Sequence, residues 1–152
     1  MWEALFSATN LIALLGWVAL LVLPRKTFVL SAVLYLGIGL LCLAYTVLLV
    51  SLLSGLDDSG GGAGGGFGSI EAVRALFGSD GGVVTGWTHY LAFDLFVGLW
   101  ISKDADAKGF SRLVQAPILL LTLMAGPAGL IVWLILREAR ARTIHPRKSP
   151  NG

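Results

Sequence analysis

Four apolar stretches decide what this chain can fold into. They are Trp2–Leu23, Thr27–Leu53, Val83–Ile101 and Leu113–Leu136, with lengths of 22, 27, 19 and 24 residues. Between them they carry two charged side chains, Glu3 and Asp94. A helix of a soluble domain keeps charge along its water-facing side, and these stretches do not. The charged share of the whole chain, 13%, is about half the ordinary value. A water-soluble enzyme, a nucleic-acid binder and a disordered protein are excluded. The remaining class is a small integral membrane protein, all-α and polytopic.

Each stretch is long enough to span a bilayer, which takes roughly 20 apolar residues in a helix. The runs are continuous rather than alternating, so a β-barrel is a poor fit. Without water in the hydrocarbon, backbone groups must bond within their own segment, which means helix. The expectation is therefore a four-helix transmembrane bundle over residues 1–138 with a basic, disordered tail at 139–152. The start lacks the basic region of a signal peptide, Trp2–Leu23 is long for one, and no transit peptide is recognised. These features point to the cell membrane of a bacterium. With Cys42 as its single cysteine the chain has no internal disulfide.

The first two stretches are joined by Pro24, Arg25 and Lys26, which forces an antiparallel hairpin. Pro24 ends the first helix and Thr27 can cap the second. The segment Ser54–Gly82 begins glycine-rich, from Gly55 through Gly60, Gly61, Gly62, Gly64, Gly65 and Gly66 to Gly68. It reads as a flexible linker, because the Lys-Ser/Thr of a phosphate-binding loop is missing. Ser69–Phe77 reads as a short amphipathic helix at the membrane interface, capped by Ser69 and ended by Gly78. It is either a plain surface helix or a lid over a site. Ser102–Arg112 reads as a solvated turn.

Charge leaves the orientation open. Four crossings put five Lys/Arg on one side and six on the other. A final segment that turns back at Gly126-Pro127 would give ten against one. The four-crossing reading is kept, because Leu113–Leu136 is long enough and membranes tolerate a proline kink.

Asp94, near the middle of the third stretch, is the most informative residue. An ionised carboxylate there costs about 3 kcal/mol on insertion scales, so such groups face a bundle interior or a cavity. Tyr90 lies one turn earlier and is its natural hydrogen-bond partner. His89 is nearer the membrane surface. Five residues turn a helix by about 140° net and advance it about 7.5 Å, which argues against a direct His89–Asp94 pair. As a metal ligand His89 has no spacing partner, so neither metal nor cofactor is expected. Polar stripes mark the other helices: Asn10, Ala13 and Trp17; Ser31, Tyr35, Gly39, Cys42 and Thr46; Gln115, Thr122, Gly126, Gly129 and Trp133. Small and polar residues are the usual glue between membrane helices. The functional reading is that the stripes converge on one pocket with Asn10, Trp17, Tyr35, Trp87, Gln115 and Thr122 as binding residues. Pro127 leaves the carbonyl of Leu123 without its helical donor.

Two blocks carry a family resemblance: Gly86-Trp87-Thr88-His89-Tyr90-Leu91-Ala92-Phe93-Asp94-Leu95-Phe96-Val97-Gly98, and the run from Gln115-Ala116-Pro117 to Gly126-Pro127-Ala128-Gly129. Both are very similar to signatures of the abscisic-acid-deficient-four-like family, and Asn10, Trp17 and Pro24 match more loosely. The plant members are plastid-membrane proteins tied to neoxanthin synthesis and implicated in opening the epoxide of violaxanthin to an allenic alcohol. The resemblance thus implies a cofactor-independent isomerase of a carotenoid or other isoprenoid. The apolar stretches imply contact with membrane lipids and leave open whether the protein is an oligomer. Chemistry rather than the resemblance suggests the roles: Asp94, the deep acid, would act as general acid and His89 as base, with Tyr90 beside them. Two other readings stand beside it: a lipid- or isoprenoid-binding accessory protein without turnover, and a small dual-topology transporter.

Overall fold

The computed structural model describes residues 1–54 and 65–144, with side chains described as far as Arg140. Among these residues the chain is all-helical. The helices are α1 (Trp2–Val22), α2 (Thr27–Ala32), a π-helical turn at Val33–Gly39, α3 (Leu40–Leu53), α4 (Ile70–Leu76), α5 (Asp80–Ala107), α6 (Arg112–Met124) and α7 (Gly126–Ile144). Most of the expected linker, Gly55 to Gly64, and residues 145–152 of the expected tail lie outside the described residues, whereas residues 139–144 of that tail are not disordered but form the end of α7. The chain divides into two compact units, Met1–Phe96 and Val97–Gly152.

In the first unit α1 packs against the π-helical turn and α3. The second apolar stretch is helical throughout, but its register changes at Val33–Gly39, where Gly37 and Gly39 leave the backbone free to widen. Thr27 is the first residue of α2 rather than its cap; Lys26 holds the cap position without a side-chain bond. Gly16 of α1 and Gly37 both face Leu95 of α5. A Cβ at Gly16 would stand 2.6 Å from Leu95 Cδ2, and one at Gly37 would stand 3.3 Å away. Leu95 is fully buried there. Ser69 caps α4 as expected, its Oγ accepting from the Ala72 amide at 3.1 Å.

The second unit corrects two expectations. The third helix does not end at Ile101 but runs on to Ala107, and Ser102 and Ala105 are fully buried. Lys103 to Lys108 are competent helix formers, and Asp104 meets Lys108 one turn later at 3.1 Å. The helix then stops at Gly109, whose φ of 67° suits glycine. The Phe110 amide closes back on the Ala105 carbonyl at 3.0 Å, a Schellman ending.

The second correction concerns Leu113–Leu136. This stretch is not one kinked span but two helices that break at Ala125 and fold back on each other. Arg140 donates to the Gly109 carbonyl at 3.2 Å across a separation of 31 residues. A continuous helix would hold them about 45 Å apart. Trp133 Nε1 and Arg137 reach Asp104 Oδ2 at 3.0 and 3.3 Å, and the Phe110 ring meets Trp133 edge-on. Pro127 sits in the first turn of α7, where a missing N–H costs nothing. The Leu123 carbonyl is therefore a helix-end carbonyl and not a gap inside a helix.

The two arms touch where Gly129 lies on Thr122. A Cβ at Gly129 would collide with Thr122 Oγ1 and stand 2.6 Å from its backbone nitrogen. Gly129→Val should therefore lower stability by about 1–3 kcal/mol, the usual cost of overpacking. Gly68→Ala, with nothing within 4 Å of the added methyl, should leave it unchanged. Thermal unfolding of the two variants in the same detergent checks this.

Candidate functional site

Helix α5 carries aromatic groups on two flanks. On one, Trp87 stacks on Tyr90 with ring centroids 5.2 Å apart and lies 5.9 Å from Phe6 of α1. Its indole N–H donates to Asn10 Oδ1 at 3.2 Å, and Asn10 in turn donates to the Phe6 carbonyl at 2.7 Å. On the other flank His89 stands between Tyr45 of α3, at 5.1 Å, and Phe93, at 4.6 Å.

A cavity of about 190 Å³ opens beside His89. Tyr45, Leu49 and Leu52 of α3 form one wall, and Leu76 and Phe77 at the end of α4 form another. Phe67, Thr85 and His89 complete it, and Gly82 and Gly86 expose the backbone of α5. The two glycines are four apart on one helical face, so α4 can lie directly on α5. A Cβ at Gly82 would run into the Leu76 carbonyl oxygen, and one at Gly86 into the Phe77 ring. The Thr85 hydroxyl is already bonded to the Gly81 carbonyl at 2.7 Å. Tyr45 and His89 are thus the two lining groups able to exchange a proton. A dry apolar cavity of about 150 Å³ is known to hold a benzene-sized ligand. This one has room for a single substituted ring, with Tyr45 and His89 at its edge.

The expected site residues separate into distinct places. Asn10, Trp87 and Tyr90 share one aromatic cluster, while His89 belongs to the other flank. Asp94 is buried, 7% exposed, and is not part of the cavity wall. Trp17 is fully buried core, and Tyr35 is 71% exposed. Gln115 and Thr122 are fully buried inside the second unit. Gln115 donates to Asp106 Oδ1 at 2.9 Å and to the Phe110 carbonyl at 2.8 Å, and Thr122 bonds the Ile118 carbonyl at 2.8 Å. Gln115 ties α6 to the preceding turn, while the Thr122 bond stays within α6. The sequence reading missed Tyr45, Phe67 and Phe77. The Gly82–Gly86 spacing was a usable signal, because it marks a face that another segment approaches closely. Leu76 and Phe77 at the end of the short helix line the cavity.

The first unit thus combines strongly apolar helices with an aromatic cavity edged by one histidine and one tyrosine, in an all-α protein. The chain belongs to the ABA DEFICIENT 4-like family, whose model matches residues 4–133. That family is linked to carotenoid (neoxanthin) biosynthesis in plants. No curated protein and no solved structure matches the chain.

The obstacle at Gly82 is backbone, whereas at Gly86 it is a ring that can swing aside. Gly82→Ala should therefore destabilise by about 1–3 kcal/mol, partly offset by the better helix propensity of alanine. It should also expose residues 65–79 to protease, and Gly86→Ala should do so less. Limited proteolysis with thermal unfolding separates the two.

Proposed function

We propose that this chain is an integral membrane protein that receives the end ring of a carotenoid or related isoprenoid beside His89 and isomerises it by proton transfer. The observation that carries the proposal is the ring-sized cavity edged by Tyr45 and His89. Its small volume fits an end ring and leaves a long polyene outside, in lipid. In epoxide opening to an allenic alcohol, a C–H and an epoxide C–O bond break, the C–H electron pair becomes the new C=C of the allene, and the oxygen takes a proton to form an O–H bond. The formula is unchanged, so the reaction consumes no oxidant. The His89 imidazole can take the carbon-bound proton and deliver a proton to the oxygen, with the Tyr45 hydroxyl as a hydrogen-bond donor to that oxygen. Asp94, outside the wall, takes no part in this scheme. His89→Gln should lower turnover of an epoxy-carotenoid by about 10²-fold or more, the usual worth of a general base. Asp94→Asn should stay within about tenfold of the parent chain. Chromatography of product from purified protein measures both, and equal turnover in His89→Gln removes His89 from the reaction.

The membrane reading rests on α1 and on the continuous helical segment Thr27–Leu53, both long and apolar enough to cross. Only 28% and 22% of their most apolar 18-residue windows are buried, whereas a soluble core helix buries most of itself. The third stretch falls below that hydropathy because it holds Trp87, His89, Tyr90 and Asp94. Taken as the third crossing, it is followed by the α6–α7 hairpin, which enters and leaves on one face. Break residues are satisfied internally: the Ala125 amide bonds the Leu121 carbonyl at 2.7 Å, and the Ala128 amide bonds that of Ala125 at 2.9 Å. Three crossings then place ten of eleven Lys/Arg on one side, which the positive-inside rule makes cytoplasmic. This reading replaces the four-crossing bundle and disfavours a dual-topology transporter. With the cysteine-free Cys42→Ser background, labels at Lys108→Cys and Glu138→Cys should both react from the cytoplasmic side of the cell membrane. Reaction from opposite sides restores a fourth crossing.

A second reading is an accessory protein that holds the pigment without changing it. It is favoured by how few proton-exchanging groups edge the cavity. It predicts carotenoid that co-purifies unchanged, in equal amount in His89→Gln.

A further inference from the structure

A histidine that moves protons must be held in one orientation. A third group usually does this by bonding one of its nitrogens. Among the described residues no hydrogen bond reaches the His89 imidazole. The polar groups near it on α5 are engaged elsewhere. The Thr85 hydroxyl, one turn earlier, donates to the Gly81 carbonyl at 2.7 Å. Asp94 lies on the other flank of the helix, about 140° round its axis.

What touches the imidazole is aromatic. Phe93 stands one turn later on α5, at the spacing where helical side chains meet. Its ring centroid is 4.6 Å from that of His89 and the two planes differ by 27°, so one ring is stacked on the other. Tyr45 of α3 approaches at 5.1 Å with its plane tilted by 54°. Phe93 is not part of the cavity wall, so its reach to a bound ring is through His89.

Both imidazole nitrogens carry their proton or lone pair in the plane of the ring. A ring stacked on the face restrains the imidazole without occupying either nitrogen, whereas a carbonyl or carboxylate would occupy one. Phe93 is 55% exposed, so burial does not account for an aromatic side chain there. Leucine would serve an exposed apolar position equally well. What phenylalanine adds is a flat face, and that face lies on His89.

We infer that Phe93 is a positioning residue for His89, its ring holding the plane of the imidazole and leaving both nitrogens to the substrate. The inference rests on the reading of His89 as the proton-transfer group. A misplaced catalytic group loses rate more than affinity, because the alignment matters most in the transition state.

The test is steady-state turnover of violaxanthin by the purified full chain in mild detergent. Phe93→Leu keeps an apolar side chain and removes the flat face. Its kcat should fall about tenfold, with KM within about twofold of the parent chain. Phe93→Tyr restores the face and should bring kcat back to within about threefold. A second readout needs no turnover. In histidine-labelled protein the His89 ring-proton resonances, identified by their loss in His89→Gln, should move downfield in Phe93→Leu as the ring current of the stacked face disappears, and should stay in place in Phe93→Tyr. Parent-like kcat in Phe93→Leu, where His89→Gln is slow, overturns the inference, and so do resonances that do not move. A raised KM with kcat unchanged overturns it too, since Phe93 then contacts the ligand itself. Phe93→Tyr as slow as Phe93→Leu has the same force. Undiminished turnover in His89→Gln, or none in the parent chain, fails the proton-transfer reading itself, an outcome distinct from all of these.

Discussion

Leu95 fills the space that Gly16 and Gly37 leave open, and three helices are held by that fit. Apolar helices gain nothing from burying apolar surface when the surrounding solvent is itself apolar. Their association then depends on close contact, where each atom pair adds only about 0.1–0.2 kcal/mol and a small gap forfeits much of it. A Cβ at Gly16 has no room beside Leu95. The glycines of α1 and the π-helical turn and the leucine of α5 are therefore one device, and it fixes the rotation of α5.

That rotation settles what the rest of α5 presents. With Leu95 turned into the glycine slot, Leu91 and Thr88 follow it into the interior, and both are buried. At about 100° per residue, Trp87, Tyr90 and Asp94 fall on one side of that line and His89, Phe93 and Thr85 on the other. The two flanks meet different partners: Phe6 and Asn10 of α1 on one side, Tyr45 of α3 on the other. An acid and a base five residues apart are thus kept on opposite flanks. For this reason the proton transfer proposed above runs through His89 and Tyr45.

Much of this was legible in the residues. The apolar lengths gave the first two helices, Ser69 gave the cap of α4, and the angular argument kept His89 from Asp94. Other features had no local signal. Leu113–Leu136 is long enough to cross once and also long enough to turn back. Pro127 fits a kink as well as the first turn of a new helix. The choice rests on Gly129 against Thr122 and on the reach of Trp133, Arg137 and Arg140 to residues 104–110, which are long-range contacts. The Lys103–Lys108 run was read as a turn because its charge was weighed above its helix propensity. A polar group in an apolar run, such as Gln115 or Thr122, suggests a ligand pocket, but Gln115 binds the Asp106 carboxylate and the Phe110 carbonyl, and Thr122 bonds the Ile118 carbonyl within α6.

Charge and geometry both bear on the last segment. The fold-back follows from the packing of Gly129 on Thr122 and from the reach of Trp133, Arg137 and Arg140 to residues 104–110. The charge count follows from the sequence. In the proposed three-crossing topology Arg137 and Arg140 share a side with Lys103, Lys108 and Arg112. Asp104 adds a local reason for that placement. It accepts from Trp133 and pairs with Lys108 and Arg137, so the charges that bring the end of α5 to α7 neutralise one another where the hairpin closes. Arg137 also stands 5.6 Å over the Trp100 ring, and Arg140 4.5 Å over that of Phe110. Cations lying over aromatic rings suit a membrane interface, where one end of a side chain is apolar and the other wet. A hairpin whose open end holds its charges in this way and whose apex is apolar fits the proposed topology, in which it enters and leaves on one face. A fourth crossing would have to pull Arg137 and Arg140 away from those partners.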